Sequence, residues 1–285
     1  AASSERTAED DSATARSLVP THRQAAIIRV NGDEATSTTL HTFCLDAAGN
    51  LLAGVTTDVG QIRKLDPEGN LLETWPLEVQ PEAIAVGPDG ALYVAGTGKL
   101  LKLDAQGNIL LEADAPQAGE ARANKEKIRE QMREQLEQNR QSMAEILTRY
   151  QQQIDQLTAK AEEDRTEAEQ QRLRSLQSVV ERIQPDRDEQ AEMAKLDRMI
   201  QSKLAASSIS VTSSDVFVAT RALEGYGFDV WRVDGRFENG KKIVSGLRGC
   251  CGQMDVQAND AGVYVAENAR HRVCHYDRDG QLVTQ

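Results

Sequence analysis

Hydrophobic and polar residues alternate in short runs over much of the chain, and the runs end at turns rich in Asp, Asn and Gly. Four segments share this pattern: residues 43–75, 81–114, 208–244 and 252–285. Each holds a short apolar strand, a turn, a second strand resembling "YVA", a third strand that ends in Asp, and a second glycine turn. Alternation with a period of two is typical of β-strands. The pattern therefore predicts four repeated units of short strands.

The spacing of the repeats gives the size of one unit. Equivalent second-strand positions fall 41, 124 and 47 residues apart, at Leu52, Tyr93, Phe217 and Tyr264. Leaving out a helical stretch of 87 residues, at 119–205, shortens the middle separation to 37. A unit of about 40 residues matches one four-stranded propeller blade.

The turns between the predicted strands have the chemistry of hairpins. An aspartate precedes a glycine by three residues in each of four turns, at Asp46, Asp66, Asp104 and Asp277. We expect the aspartate to accept hydrogen bonds from the turn backbone and the glycine to adopt a positive φ. A calcium loop is the alternative, but each turn supplies one carboxylate where calcium takes several oxygen ligands.

Residues 119–205 follow a different rule, because their apolar residues recur at steps of three, four or seven. The stripe is narrow, has charged flanks and contains no Cys, Trp, Phe or His; it comprises Ile128, Met132, Leu136, Met143, Leu147, Tyr150, Ile154 and Leu157, then Leu173, Leu176, Val180 and Ile183, then Met193, Leu196, Ile200 and Leu204. This spacing is typical of a coiled-coil seam.

Since both ends of the stretch must return to the β-repeats, the spacing predicts an antiparallel helical hairpin. We place its tip at residues 162–166, where the stripe of apolar residues is interrupted, because this position makes the two arms roughly equal in length. Pro185 is expected to kink or break the returning arm, with Gln184 at the boundary. A tip at Pro185 is the alternative.

The chain therefore divides into four regions. Residues 1–22 are small, polar and aperiodic, which predicts a disordered tail. Residues 23–118 and 206–285 are predicted to form the first and second groups of blades, and residues 119–205 the inserted hairpin. The fold class is mainly β propeller with about four recognisable blades.

Charge and hydropathy exclude two kinds of partner. The chain has 33 Lys and Arg against 45 Asp and Glu, a net charge of -12. Such a surface repels phosphate backbones, so we expect no nucleic-acid partner. No window approaches 18 consecutive apolar residues, so we expect no membrane span.

The fourth repeat carries a resemblance to a known family. Residues 264–283, YVAENARHRVCHYDRDGQLV, resemble the NHL-repeat β-propeller consensus, with Arg270 where Asn is usual. The second repeat matches through GPDGALYVA and LKLDAQGN. The resemblance implies a propeller, in a family that includes scaffolds, ligand sensors and a few lyases. Its propellers usually close with six blades, so we expect further blades after Gln285 or an unusually small closure. The run at residues 25–30 could be a strand that completes the last blade.

Cysteines mark the candidate binding site. Cys250 and Cys251 are adjacent in a loop that the repeat register places at the mouth of the propeller channel, and we assign Arg248, Cys250, Cys251 and Gln253 to a binding face. Glycines permit a distorted backbone there, and a nearby arginine lowers a thiol pKa. Disulfides are the alternative, with Cys44, Cys250, Cys251 and Cys274 as candidates and three possible pairings.

Cysteines confined to the β-region and the missing initiator methionine favour an exported protein, periplasmic or extracellular. His271 and His275 would face away from Cys274 on a strand, so we expect no metal site there.

Two functions remain. The first is a non-enzymatic scaffold that binds a protein or small ligand at the channel mouth, with no cofactor, and offers the helical arm to a partner helix. The alternative is a lyase or lactonase with a channel-mouth metal or a reactive cysteine pair. The inner strands offer only Glu82, Asp255 and the nearby His41 to such a metal.

Overall fold

A computed structural model of the chain describes residues 26–31, 37–182, 189–249 and 254–285. The first sheet comprises β1 (Thr39–Leu45), β2 (Leu51–Thr56), β3 (Gly60–Leu65) and β4 (Leu71–Leu77). The second comprises β5 (Ala83–Val86), β6 (Leu92–Gly96), β7 (Lys99–Leu103) and β8 (Ile109–Asp114). The third comprises β9 (Ala206–Val211), β10 (Asp215–Arg221), β11 (Phe228–Asp234) and β12 (Lys241–Leu247). The fourth comprises β13 (Asp255–Asn259), β14 (Gly262–Glu267), β15 (Arg272–Tyr276) and β16 (Leu282–Thr284).

The four sheets form a propeller-like array. In each sheet the strands are antiparallel and lie in chain order. The first strands of successive sheets are neighbours, in the order β1, β5, β9, β13. Apolar side chains fill the space between successive sheets in three clusters. The predicted four units of four strands are therefore confirmed.

Strand order gives the array two distinct ends. Each sheet is an antiparallel meander, so the turn between its second and third strands lies at the end where its first strand begins. The fourth strand finishes at this same end, and from there the chain crosses to the next sheet. We call this the crossover end. The turns that join the first to the second strand and the third to the fourth lie at the other end, the turn end.

The predicted turn chemistry is confirmed at the turn end. One carboxylate oxygen of Asp104 accepts the N–H groups of Gln106 at 2.9 Å and Asn108 at 2.8 Å, and the other accepts the Asn108 amide at 2.8 Å. Gly107 has a φ of +81°. Bonds with the side chain of Asn108 and with the turn backbone lower the pKa of Asp104.

Along the chain, the structure describes four helices between the second and third sheets: α1 (Pro116–Ala123), α2 (Lys125–Thr158), α3 (Glu167–Arg182) and α4 (Glu189–Lys203). At 1.5 Å per residue, α2 is about 50 Å long. It contacts both α3 and α4. The start of α3 is a capping box, since Thr166 Oγ1 accepts the N–H of Glu169 at 3.3 Å and Glu169 Oε2 accepts the N–H of Thr166 at 3.0 Å.

The helical period and the break at 162–166 thus match the structure, with a 3₁₀ turn at Glu162–Asp164 between α2 and α3. The predicted boundary at Gln184 and Pro185 lies outside the described residues. Among the helices that the structure describes, none is both long and apolar enough to cross a bilayer.

Residues 26–31 are described, and no strand is assigned within them. Val30 packs against Ala53, Val55 and Leu65 of the first sheet, and its carbonyl accepts a hydrogen bond from the Arg63 guanidinium at 2.8 Å. For these residues the suggestion of a strand completing the last blade was therefore wrong: the run covers part of the first sheet.

Candidate functional site

The crossover end gathers the loops between the sheets and the base of the helical segment. A half-buried carboxylate holds the second and third sheets together there. Glu82 Oε2 accepts the N–H of Ala206 at 2.9 Å and the N–H of Thr97 at 3.3 Å. Burial raises the pKa of Glu82, and these two N–H groups oppose the rise only in part. Glu82 is thus a structural tie.

A second carboxylate, Glu267, has three partners and is fully buried. It accepts the N–H of Arg248 at 2.9 Å, Nε of Arg272 at 2.7 Å and a guanidinium nitrogen of Arg270 at 3.0 Å. Burial raises the pKa of Glu267, but the Arg248 N–H and the two guanidinium groups outweigh it and leave the pKa below its ordinary value. The carboxylate therefore stays ionised and holds the loop that begins at Arg248.

Of the predicted binding loop, only its first part is described. Arg248 is exposed, and its backbone is tied to Glu267. Cys250, Cys251 and Gln253 lie outside the described residues. Sequence reasoning missed Glu267, although it is an acidic residue at the end of an otherwise apolar strand, beside two arginines.

The residues considered for a channel metal make local bonds instead. A ring nitrogen of His41 lies 2.9 Å from Thr56 Oγ1 and 3.0 Å from the Gln80 amide. Burial lowers the pKa of His41. Asp255 accepts the Ser208 hydroxyl at 2.8 Å. Within the described ranges, no group of three or more His, Cys, Asp or Glu could hold a metal ion.

Cys44 and Cys274 are free thiols in the structure. Cys44 packs between the first and second sheets, and burial raises its pKa to about 12. Cys274 is buried between the third and fourth sheets. These two disulfide candidates therefore lie at different interfaces of the array, and any bridge to Cys250 or Cys251 involves residues outside the described ranges.

The two histidines near Cys274 differ in their placement. His275 points away from Cys274 and stacks on Tyr264, with ring centroids 4.3 Å apart. His271 precedes β15 in a left-handed conformation with a φ of 52°. Treating His271 as a strand residue was therefore wrong, because a 3₁₀ turn at Asn268–Arg270 ends there.

The helical segment is fixed to the loop between β10 and β11. Lys203 donates from its Nζ to the carbonyls of Ala222 at 2.8 Å and Gly225 at 2.6 Å. Lys127 pairs with Glu224 at 2.6 Å. Leu223 from the same loop joins an apolar cluster with residues of α2 and α4, namely Ile128, Met132, Leu136 and Leu196. The base of the segment is therefore anchored at the crossover end.

Farther from this base, the apolar stripe is less covered. No residue of α3 is fully buried. On α2, Met143 is exposed, while Ile146, Leu147 and Tyr150 are half-buried. Ile154, nearer the far end of α2, is buried again, so the exposed apolar surface lies in the middle of α2 around Met143.

A pocket of about 220 Å³ lies at the turn end, between the third and fourth sheets. Its wall includes an ion pair, since Arg278 Nε lies 2.6 Å from Asp215 Oδ2. Burial raises the pKa of Asp215, but bonds from Arg278 and Ser214 outweigh it and leave the pKa low. Asp215 and Arg278 in its wall are already paired with each other, so we do not place the binding site there.

The fold defines a propeller-like β protein, and comparison with known proteins agrees. The family described as "Strictosidine synthase-like, N-terminal" matches residues 70–103, which cover β4 to β7 in full. This match supports a propeller-type family, while the NHL repeat stays a resemblance. A solved structure of a protein of unknown function from Bacteroides caccae is similar at 10% identity and a TM-score of 0.39. The similarity covers 87% of this chain and 66% of that one. No curated protein matches.

Proposed function

We propose that the chain is a non-enzymatic propeller scaffold that binds a protein or small ligand at its crossover end. One observation carries this proposal: the exposed Arg248 and the base of the helical segment lie at the same end, each held by a half-buried hydrogen bond with one charged partner. Loops held on a rigid array are typical places for binding residues. A partner at this end could contact the loop and the helices together.

The acidic residues at the crossover end favour a scaffold over a lyase or lactonase. Glu82 accepts two backbone N–H groups, and Glu267 accepts one with two arginines. A metal or an acid–base group needs a side chain whose bonding positions point toward substrate. Here the oxygens of both carboxylates bind groups of the protein itself and so join one part of the array to the next.

We further propose that residues 119–205 form an antiparallel coiled-coil hairpin that serves as a second interaction surface. Contacts near both ends of α2 support it. Arg129 of α2 lies 3.9 Å from Asp197 of α4, and Arg172 of α3 donates to Gln153 of α2 at 3.1 Å. A partner helix would cover the middle of α2, where the exposed Met143 offers an adaptable apolar contact.

The binding proposal is tested by charge reversal at two exposed arginines. Arg248→Glu alters the crossover end, and Arg236→Glu is the matched control in a turn at the turn end. We expect proteins captured from the source cell extract by the wild type to be lost with Arg248→Glu and kept with Arg236→Glu. Equal capture by both variants would contradict the placement. Turnover of a lactone after addition of Ca²⁺ or Zn²⁺ would instead support the enzyme.

The state of the cysteine pair gives a separate test of the loop and of export. Peptide mapping without reductant should find Cys250 linked to Cys251, or both alkylatable. A bridge from either one to Cys44 or Cys274, with a large loss of melting temperature after Cys→Ser, would show that the pair joins parts of the fold instead.

The division of the chain is tested by replacing residues 119–205 with a short Gly/Ser linker. A surface insertion changes loop-closure entropy little, so the β-sheet circular dichroism should persist. Loss of that spectrum would mean that the helices belong to the core.

A further inference from the structure

Three neighbouring strands of the third sheet bring two arginines together at the crossover end. Arg221, Phe228 and Leu247 are cross-strand partners at the adjoining ends of β10, β11 and β12. The guanidinium of Arg221 lies over the Phe228 ring, 5.9 Å from its centroid. The backbone of Gly249 lies against the same ring, since a Cβ there would stand 2.6 Å from a ring carbon. Arg221 and Arg248 are therefore close neighbours across one buried aromatic ring.

The charges of these two arginines are open to a partner. Both side chains are exposed, and neither has a carboxylate partner within the described part of the chain. Burial lowers the pKa of Lys203, and the charge of Arg221 lowers it further, against the opposing effect of Asp229. Glu224, in the loop between β10 and β11, is already paired with a lysine of α2.

Glu267 extends this positive region without neutralising it. Its carboxylate accepts the Arg248 N–H and pairs with Arg270 and Arg272. One ionised carboxylate thus lies among four arginines, of which Arg221 is the fourth. The third and fourth sheets are therefore locally positive at the crossover end, in a chain whose net charge is -12.

An exposed tyrosine stands beside the positive region. Tyr226 is 85% exposed, and its hydroxyl accepts a hydrogen bond from α2. Its loop is held by the two bonds that Lys203 donates to backbone carbonyls. The next residue, Gly227, lies against the carbonyl of Leu247, since a Cβ there would stand 2.5 Å from the oxygen. Tyr226 and Arg248 are each one residue away from this contact, so the fold fixes the backbone of both.

We propose that Arg221, Tyr226 and Arg248 form a docking site for an acidic protein segment, with several Asp or Glu residues around an apolar one. The inference rests on the proposed binding at the crossover end and names the chemistry of the partner. Tyr and Arg are enriched among the residues that dominate interface energies. A guanidinium binds a carboxylate through two parallel N–H donors. A protein segment fits better than a small anion, because a small anion would leave Tyr226 uncovered.

The probe is a short dye-labelled peptide of Glu and Ser with one central Leu, and its matched control has Gln in place of every Glu. Fluorescence anisotropy should show the wild-type chain binding the Glu peptide and not the Gln peptide. The chain as a whole is acidic and repels the Glu peptide, so binding requires a local positive region. Raising the salt from about 20 to 300 mM should weaken binding, because exposed charges are screened.

Single substitutions locate the site. Arg221→Glu and Arg248→Glu each replace an attraction by a repulsion and should weaken binding about tenfold, whereas Arg236→Glu at the turn end should not. Tyr226→Ala should weaken binding several-fold and leave its salt dependence unchanged. Phe43→Ala is the matched control, since Phe43 is an exposed aromatic residue of the first sheet. All five residues are exposed, so the variants should fold, as circular dichroism would verify.

Three results would overturn the proposal. The first is a Glu peptide that fails to bind, and the second is binding that neither Arg221→Glu nor Arg248→Glu weakens. The third is binding of inorganic phosphate that depends on both arginines and competes with the peptide, while Tyr226→Ala has no effect; the site would then take a small anion. If the Glu peptide fails but Arg248→Glu still abolishes capture from the cell extract, the scaffold stands and its partner is not acidic. If the wild type also captures nothing, the proposed function fails as well.

Discussion

Replacement of Glu267 should show how strongly one buried carboxylate holds the crossover end. Glu267→Ala removes the acceptor of the Arg248 N–H and the partner of two arginines. Breaking a buried ion pair costs about 3–5 kcal/mol. The side chains of Arg270 and Arg272 are 43% and 30% exposed, so water screens their part of the loss, and we expect about 2–4 kcal/mol.

Glu267→Gln separates charge from hydrogen bonding. Its amide oxygen can still accept the Arg248 N–H, so the expected loss is about 1.5–2 kcal/mol, at the lower end of the range for hydrogen bonds to charged groups. The pKa of Glu267 is lower in the folded chain than in an unfolded one. The stabilisation is therefore fully present above the unfolded pKa of about 4.3 and is lost as the pH falls through the folded pKa.

Urea unfolding at pH 7 and pH 3, followed by tryptophan fluorescence, measures both effects. The wild type should exceed Glu267→Gln in stability at pH 7, and the difference should shrink at pH 3. Glu163→Gln is the control, because Glu163 is an exposed glutamate between α2 and α3. The role of Glu267 would be refuted if Glu267→Gln lost no more free energy of unfolding than Glu163→Gln. It would also be refuted if Glu267→Gln lost the same amount at pH 7 and pH 3.

Two further substitutions test the turns and the base of the helices. Gly107→Ala and Gly90→Ala both force a side chain onto a positive φ, at roughly 1–2 kcal/mol each, but only at position 107 would the new Cβ also meet Trp75, at 2.2 Å. Thermal unfolding should therefore show the larger loss for Gly107→Ala, and equal losses would exclude the clash. Lys203→Met removes two hydrogen bonds to backbone carbonyls and should lower the free energy of unfolding by about 1–2 kcal/mol. Hydrogen exchange in the loop between β10 and β11 should quicken relative to Lys195→Met, an exposed lysine of α4, and unchanged exchange would contradict the anchoring role.

The repeated sheets could be predicted because their cause is local. Alternation and the Asp–Gly turns lie within a few residues of each other, and both match the structure, as at Asp104 and Gly107. The first helix begins earlier than predicted, at Pro116. Proline at the first helical position is a known start signal, and the absence of apolar periodicity there hid it.

The contacts between elements could not be predicted, because they join residues far apart in the chain. Leu223 lies in a loop, yet it is buried by helices that precede it by up to 95 residues. The role of the Arg248 backbone depends on Glu267, from another sheet.

The helical segment also delays the packing of the third sheet on the second during synthesis. Residues 115–205, 91 in all, separate the end of β8 from the start of β9. At about 5–20 residues per second, the ribosome needs roughly 5–20 s to make them. Helices and hairpins form in microseconds, so the second sheet is complete long before the third exists. For those seconds Tyr93 and Leu100 face water or a chaperone, whereas the second sheet follows the first after a linker of only five residues. Of the three sheet-to-sheet contacts in the described chain, the one beneath the helices is left open longest in the nascent protein.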